Sequence, residues 1–323
     1  MLTTQADQQA YQDVKAVNCK PNIPCEYPES VDFRIIVLTR NRSASLLKLL
    51  TSLLSLQLDG ATNALEIWID REGRNRMVHY DTLITALNFQ WNKGIKRVHV
   101  QKTHVGIRGQ WIDSWRPPVG KEELAVFLED DITVSPYIWR WTKAVHQAFR
   151  HRDDILGYSL ANQYMYCVGN KPFIEPKTQN IYLNRQMGSW GFIPRPKIWA
   201  SFQDWYHKLD KSYQPWLGNG KKICYDIWFK KYSKLDMADS MWTIWFAKYA
   251  YENGLFCVYS NLAPFAGKNY RLALHRRENG LHFFNKIQNK DDELLEEWHE
   301  KYVQFNRTIL TYEFDGKINQ IDL

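Results

Sequence analysis

Four short apolar runs, separated by stretches of helical period, constrain this chain more than anything else in it. Phe33–Thr39 reads FRIIVLT, Leu65–Asp70 reads LEIWID, Lys96–Thr103 reads KRVHVQKT and Glu123–Asp131 reads ELAVFLEDD. Short runs rich in β-branched and aromatic residues favour strands. Between the first two lies SASLLKLLTSLLSL, whose leucines recur at helical spacing from Leu46 to Leu56, with Ser43 or Ser45 placed to cap it. RNRMVHYDTLITALNFQW and IRGQWIDSWR predict two further helices. Strands alternating with helices at this spacing build a mostly parallel sheet with helices on both faces. The expectation is therefore an α/β, Rossmann-like fold.

With 323 residues the chain is long enough for one large domain with a sizeable core. Residues 1–31 are polar and proline-dotted and read as an extended arm. A domain over 32–288 follows, divided at 135/136 into a first half of alternating strands and helices and a second, more irregular half. The second half carries helical patterns at SPYIWRWTKAVHQAFRHR and DSMWTIWFAKYAYENG, and strands at ILGYSLANQY and LFCVYSNLAPF. Residues 289–323 read as a charged helix with a strand-like tail.

In a parallel sheet, ligands bind beyond the carboxyl ends of the strands. Three of the predicted strands end there in polar residues: Thr39-Arg40-Asn41, Asp70, and Glu129-Asp130-Asp131. Adjacent carboxylates at the end of a buried strand repel one another and cost desolvation, so a cation is expected beside them. Hard oxygen ligands suit Mg²⁺ or Mn²⁺ shared with a diphosphate. The alternative is a solvated turn in which Asp131 or Thr133 caps the next helix.

The formal net charge of +7 suits an anionic partner, although Lys and Arg are spread along the chain. The longest basic stretch is Lys268–Arg277. Of five cysteines, Cys19 and Cys25 could close a small loop, while Cys167, Cys224 and Cys257 are expected as buried free thiols. No stretch reaches the length of a membrane span, and the polar N-terminus is not a signal peptide. The expected location is the cytoplasm or, were an anchor to precede the chain, the Golgi lumen.

The segments IIVLTRNRSASLLKLLTSL, IWID, HVGIRGQW, VFLEDDITVSPYIWRW, GSWGFIPRPKIW and DSMWTIWFAKYAYENGLFCVYSNL occur in an order that resembles glycosyltransferases of the GT-A fold. The pattern is similar to bacterial family-two-like sugar transferases and to N-acetylglucosaminyltransferase I, over about residues 33–283. The resemblance implies that Thr39, Arg40 and Asn41 cradle a nucleotide, Asp70 meets its base or ribose, and Arg108 approaches the nucleotide or its phosphates. Glu129 and Asp130 would complete the donor site, Asp131 would ligate Mn²⁺ or Mg²⁺, and Ser189, Trp190 and Gly191 would shape the donor-sugar and acceptor pocket. Asp239 would be the general base of an inverting transfer, preferred over Asp236 because Ser240-Met241-Trp242 follows it. His275 or His282 would complete the metal site, with Arg271, Arg276 and Arg277 able to clamp phosphate.

The implied partners are a nucleotide-sugar donor, UDP-sugar favoured, and a glycan acceptor, with Trp190, Trp199, Trp205, Trp216 and Trp228 available to stack on sugars. His99, inside a strand, is expected to be a satisfied core residue. A nucleotidyltransferase would carry a glycine-rich loop after the first strand, which LTRNRSAS lacks. A basic nucleic-acid-binding module, or a glucosyltransferase acting on modified DNA bases, remains the alternative. A nucleic-acid partner is not expected, because a binding module would cluster its Lys and Arg and has no need of three carboxylates at a strand end.

Overall fold

The computed structural model describes residues 19, 23–73, 77–169, 171–210, 212–218, 223–276 and 291–323. The first apolar runs become β1 (Phe33–Thr39), β2 (Asn63–Ile69), β3 (Ile95–Val100) and β4 (Leu124–Glu129). Pairing of β1 with β2 and β4, and of β2 with β3, is parallel throughout. Further along come β5 (Ile132–Val134), β6 (Ile155–Ser159), β7 (Ile181–Asn184), β8 (Phe192–Pro194) and β9 (Phe256–Ser260). The chain closes with β10 (Tyr270–Arg271), β11 (Ala273–His275), β12 (Glu293–Leu294), β13 (Thr308–Tyr312) and β14 (Ile318–Asp322).

Ten of these strands form one sheet in the order β14-β13-β7-β9-β6-β8-β4-β1-β2-β3. It is mostly parallel; β8 enters antiparallel between β4 and β6, β7 runs antiparallel to β9, and β14 to β13.

The two-residue strand period sorts the core into two layers. Phe33, Ile35 and Val37 of β1 pack on one side with Leu46, Leu49, Leu50 and Leu53 of α1 (Ser43–Leu53) and with Leu83 of α2 (Tyr80–Asn88). Ile36 and Leu38 face the other side. There they join Trp111 of α3 (Gly106–Asp113), Trp199 and Phe202 of α5 (Pro196–His207), Phe229 of α6 (Cys224–Lys234) and Phe246 of α7 (Thr243–Glu252). The amphipathic α4 (Ile138–Ala148) packs Trp141 and Val145 into the first layer. Helices therefore cover both faces, as the sequence predicts for strands buried on both sides.

Along one face of β1–β3, from Arg34 near the amino end of β1 to His99 near the carboxyl end of β3, runs a buried ion cluster. Arg34, wholly inaccessible, donates to Glu123 at 2.6 and 2.9 Å and to Glu66 at 2.6 Å. His99 Nε2 meets the other Glu66 oxygen at 2.7 Å while its buried Nδ1 has no hydrogen-bond partner, so the core histidine expected is satisfied at one nitrogen only.

Several expectations fail here. Cys167 and Cys224 are not free thiols but form a disulfide across 57 residues; Cys257 alone is free and buried. Cys19 and Cys25 do close their small loop. The described end of the N-terminal stretch is fastened to the domain, with Cys25 exchanging backbone hydrogen bonds with Asp113 and Arg116. No charged helix occupies the described part of the tail. It holds β12, a 3₁₀ turn at Glu300–Val303, and β13, which pairs parallel with β7 inside the main sheet. The strand-like end expected is there: β13 pairs antiparallel with β14 and buries Ile309 and Tyr312.

Candidate active site at the carboxyl ends of the strands

Parallel register sets Thr39, Asp70 and Asp130 side by side. Asp70 N donates to Thr39 O at 3.0 Å, and Asp130 N to Leu38 O at 3.1 Å. Beyond this edge opens a cleft of about 530 Å³, lined by Thr39, Arg40, Asn41, Arg42, Asp70, His104, Gln110, Glu129, Asp130, Asp131 and Ser240 among others. Seven residues expected at a nucleotide site, namely Thr39, Arg40, Asn41, Asp70, Glu129, Asp130 and Asp131, thus share one cavity.

The acidic motif is not a helix cap. Glu129 ends β4, and Asp130-Asp131 turns directly into β5, which pairs antiparallel with β11 so that Ile132 faces His275. Nor do Ser43 or Ser45 cap α1: Arg42 holds the capping position without a side-chain bond to the helix, and Ser45 Oγ donates to Asp130 O at 2.9 Å.

The cation anticipated beside the acids is Arg42, a residue that sequence reasoning passed over. Its Nη2 lies 2.5 Å from Asp130 Oδ1 and its Nη1 2.7 Å from Asp131 Oδ2. Thr39 Oγ1 donates to Asp130 Oδ2 at 2.6 Å, and His275 Nε2 lies 3.3 Å from Asp131 Oδ2. Arg276 Nη2 donates to the carbonyls of Ser45 and Asp130, both at 3.1 Å. The available signal was spacing: Arg42 stands three residues after the strand, one turn from the cleft it lines.

Burial sets the protonation of the three acids apart. It pushes the Glu129 carboxyl up to about 8, with the charge of Asp131 adding to the rise and the Trp111 N–H, 3.1 Å away, opposing it. Asp130 is pushed up to about 6 by burial, against the pull of Arg42 and of the Thr39 hydroxyl. Burial also opposes ionisation of Asp131. Its hydrogen bond to His275, the charge of His275 and then Arg42 together prevail, and hold it well below the usual carboxylate range.

The donor set fits a hard divalent cation. Asp131 Oδ1 is buried and accepts no hydrogen bond, and its second oxygen stands beside an imidazole nitrogen. Among the described residues no preassembled group of three or more His, Cys, Asp or Glu side chains surrounds a single point. His282 and Arg277 lie outside the described residues.

Asp70 lines the cleft and also has a structural task. Its carboxylate accepts from the amides of Val105 and Gly106, at 3.0 and 2.9 Å, and lies 2.8 Å from His104 Nδ1. It thereby ties the start of α3 to the sheet edge while still lining the cleft; Gly106, at φ +67°, makes the turn that allows it. Gln110 Nε2 on the same helix donates to Thr39 O at 3.0 Å.

Arg108 is not among the cleft-lining residues. It forms an ion pair with Asp239 at 2.8 Å, and Asp239, 85% exposed, stands on a 3₁₀ turn over Ala238–Ser240. Trp242, just after that turn, stacks on Trp111 at 4.0 Å, which brings Ser240 to the cleft wall. Asp239 therefore flanks the cavity and does not cap α7, whose capping residue is Trp242. Asp236 sits apart from it on a left-handed turn, at φ +56°.

Of the pocket-shaping residues, Trp190 stacks on His275 with ring centroids 4.5 Å apart, and so borders the Asp131 site. Its turn needs glycine at both sides. A Cβ on Gly188 would come within 2.5 Å of Ser159 Oγ, and Gly191 holds φ +74° against Ala273 and Leu160. Ser189 is half-buried on the same turn. The other tryptophans do not gather here: Trp199 is core, Trp205 packs against the core, and Trp216 is exposed beside Phe229. Arg271 is also committed elsewhere, to Glu175 at 3.0 Å and Asp292 at 3.2 Å, and clamps nothing in the cleft.

The strand order and the acid-lined cleft define an α/β protein with a candidate ligand site at the carboxyl edge of its parallel strands. No protein-family profile and no curated protein matches the chain. Solved structures do resemble it at low identity. S. aureus TarS 1-349 matches at TM-score 0.40 and 14% identity over 72% of this chain and 61% of that one, so the chain spans under two thirds of its length. The galactosyltransferase LgtC, in complex with donor and acceptor sugar analogues, matches at TM-score 0.37 and 10% identity over 71% and 73% of the two chains. The mannosyltransferase PcManGT from Pyrobaculum calidifontis, in complex with GDP-Man and Mn²⁺, matches at 0.30 and 12% over 48% and 42%. Overlaps this loose decide nothing about the chemistry. Among the described residues no helix is long and apolar enough to cross a membrane.

Proposed function

We propose that this chain is a glycosyltransferase of the GT-A class. It would move a sugar from a nucleoside-diphosphate donor, UDP-sugar favoured, to a hydroxyl of a glycan. The observation that carries the reading is the cleft itself. Asp130 and Asp131, buried at the carboxyl end of β4, are met by Arg42, and Asp131 also by His275, with the Trp190 ring stacked on that histidine. A bound Mn²⁺ or Mg²⁺ would neutralise charge developing on the leaving diphosphate.

This chain's own residues would do the rest. Asp131, with His275, holds the cation. Thr39, Arg40 and Asn41 contact the nucleotide at the cleft wall, while Asp130 faces the ribose or the sugar. Trp190 presents a ring on which a pyranose stacks. Asp239, paired with Arg108, takes the acceptor proton so that the hydroxyl attacks with inversion.

A thermal-shift series with UDP, GDP, CDP and ADP, each with and without Mn²⁺, tests this. A nucleotide at about a hundred times its dissociation constant adds roughly 2.7 kcal/mol of stability. Metal-dependent stabilisation by one nucleotide, lost in Asp131→Ala, supports the reading; no shift with any nucleotide refutes it.

A further inference from the structure

We propose that Arg42 makes cation binding depend on the diphosphate. Its guanidinium is the resident counter-ion of Asp130 and Asp131, and the phosphates are what draw it away. The inference rests on the reading of the cleft as a nucleotide site.

The first argument is geometric. Arg42 Nη1 lies 2.7 Å from Asp131 Oδ2, the oxygen that also faces His275 Nε2 at 3.3 Å. A hard divalent cation bonds carboxylate oxygen at about 2.0–2.6 Å. Seated on that oxygen and the imidazole, it would share a single carboxylate oxygen with the guanidinium at close range. Two cations at such range in a partly buried cleft repel strongly.

The second argument is charge balance. Asp130 and Asp131 bear the negative charge when ionised, and Arg42 together with Arg276, whose Nη2 reaches Asp130 O at 3.1 Å, already offsets it. A divalent cation entering alone leaves an excess of positive charge. When it enters with a diphosphate, that excess is cancelled.

Arg42 is also built to move. It is 32% exposed, lines the cleft, and sits at the capping position of α1 without a side-chain bond to that helix. The guanidinium fork fits phosphate as well as it fits carboxylate, and the start of an eleven-residue helix favours a phosphate beside it. When Arg42 turns to the diphosphate, the facing oxygens of both aspartates are released to the cation. Cation and nucleotide then bind cooperatively, each raising the affinity for the other by the same factor.

The test measures Mn²⁺ binding to the full chain by electron paramagnetic resonance, with and without UDP or GDP, after correction for the Mn²⁺–nucleotide complex in solution. Wild type is expected to bind Mn²⁺ at least about 10-fold more tightly with the nucleotide than without it. Arg42→Ala should bind Mn²⁺ alone about 10-fold more tightly than wild type, bind the nucleotide more weakly, and lose the coupling. Arg42→Lys, which keeps the charge without the fork, should fall between them, and circular dichroism checks that each variant folds. If wild type is cooperative and Arg42→Ala binds Mn²⁺ alone no more tightly, the role of Arg42 is refuted and the nucleotide site stands. If no variant binds Mn²⁺ or nucleotide under any condition, the nucleotide reading falls and takes this inference with it.

Discussion

Glu129 links the cleft to the stability of the fold, and replacing it by glutamine isolates that link. Burial raises its carboxyl from an ordinary 4.5 to about 8, with the charge of Asp131 adding to the effect. Each factor of ten in proton affinity is worth about 1.4 kcal/mol, so the ionised form is costlier in the folded chain by about 5 kcal/mol. A carboxyl whose value rises on folding adds stability below its unfolded value. That stability drains away as the pH climbs towards the folded value, which places the loss between about 4.5 and about 8. Asp130, raised to about 6 by burial, contributes in the lower part of the same window. Asp131, held low, acts with the opposite sign and only in more acid solution.

Glu129→Gln removes the titration and keeps an oxygen for the Trp111 N–H. In urea unfolding at constant ionic strength without divalent cations, wild type should lose several kcal/mol between pH 5 and pH 8.5. The variant should lose only the share due to Asp130, and at pH 8.5 it should be the more stable of the two. Parallel profiles for the two proteins would refute the placement of Glu129 as a buried carboxyl charged only at a cost.

Three other outcomes are expected. Glu123→Gln, which breaks the buried pairing of Arg34, should cost about 3–5 kcal/mol in urea unfolding and leave nucleotide affinity unchanged. The double variant Cys167→Ser/Cys224→Ser, which opens a loop of 57 residues, should cost about 4 kcal/mol, and reductant should lower the melting temperature of wild type by more than that of the variant, which keeps only the short Cys19–Cys25 loop. Asp239→Asn should lower kcat by about 10²–10⁴-fold while nucleotide affinity holds, as steady-state kinetics and calorimetry together would show.

The first four strands were legible because their information is local. FRIIVLT and ELAVFLEDD are apolar on both faces, so each must lie between two layers, and the leucines of α1 supply one layer by their spacing alone. That Thr39, Asp70 and the acids meet at one edge follows from parallel order, which the alternation of elements already implies. A need for positive charge beside Glu129-Asp130-Asp131 could likewise be read from three like charges at the end of a buried strand.

Which cation meets them could not. Arg40, Arg42, Arg271 and Arg276 are equivalent as letters. Only the turn between β1 and α1 aims Arg42 at both aspartates, and only the β10–β12 pairing spends Arg271 on Asp292 and Glu175. His275 reaches Asp131 because β11 pairs with β5 across more than a hundred residues, a register with no local signature. The Cys167–Cys224 bond and the entry of β13 beside β7 have the same character. Period and composition determined which segments are strands, which are helices and where charge must be answered. The answering residues were decided by tertiary contacts between distant segments, because a side chain's partner depends on where the whole sheet carries it.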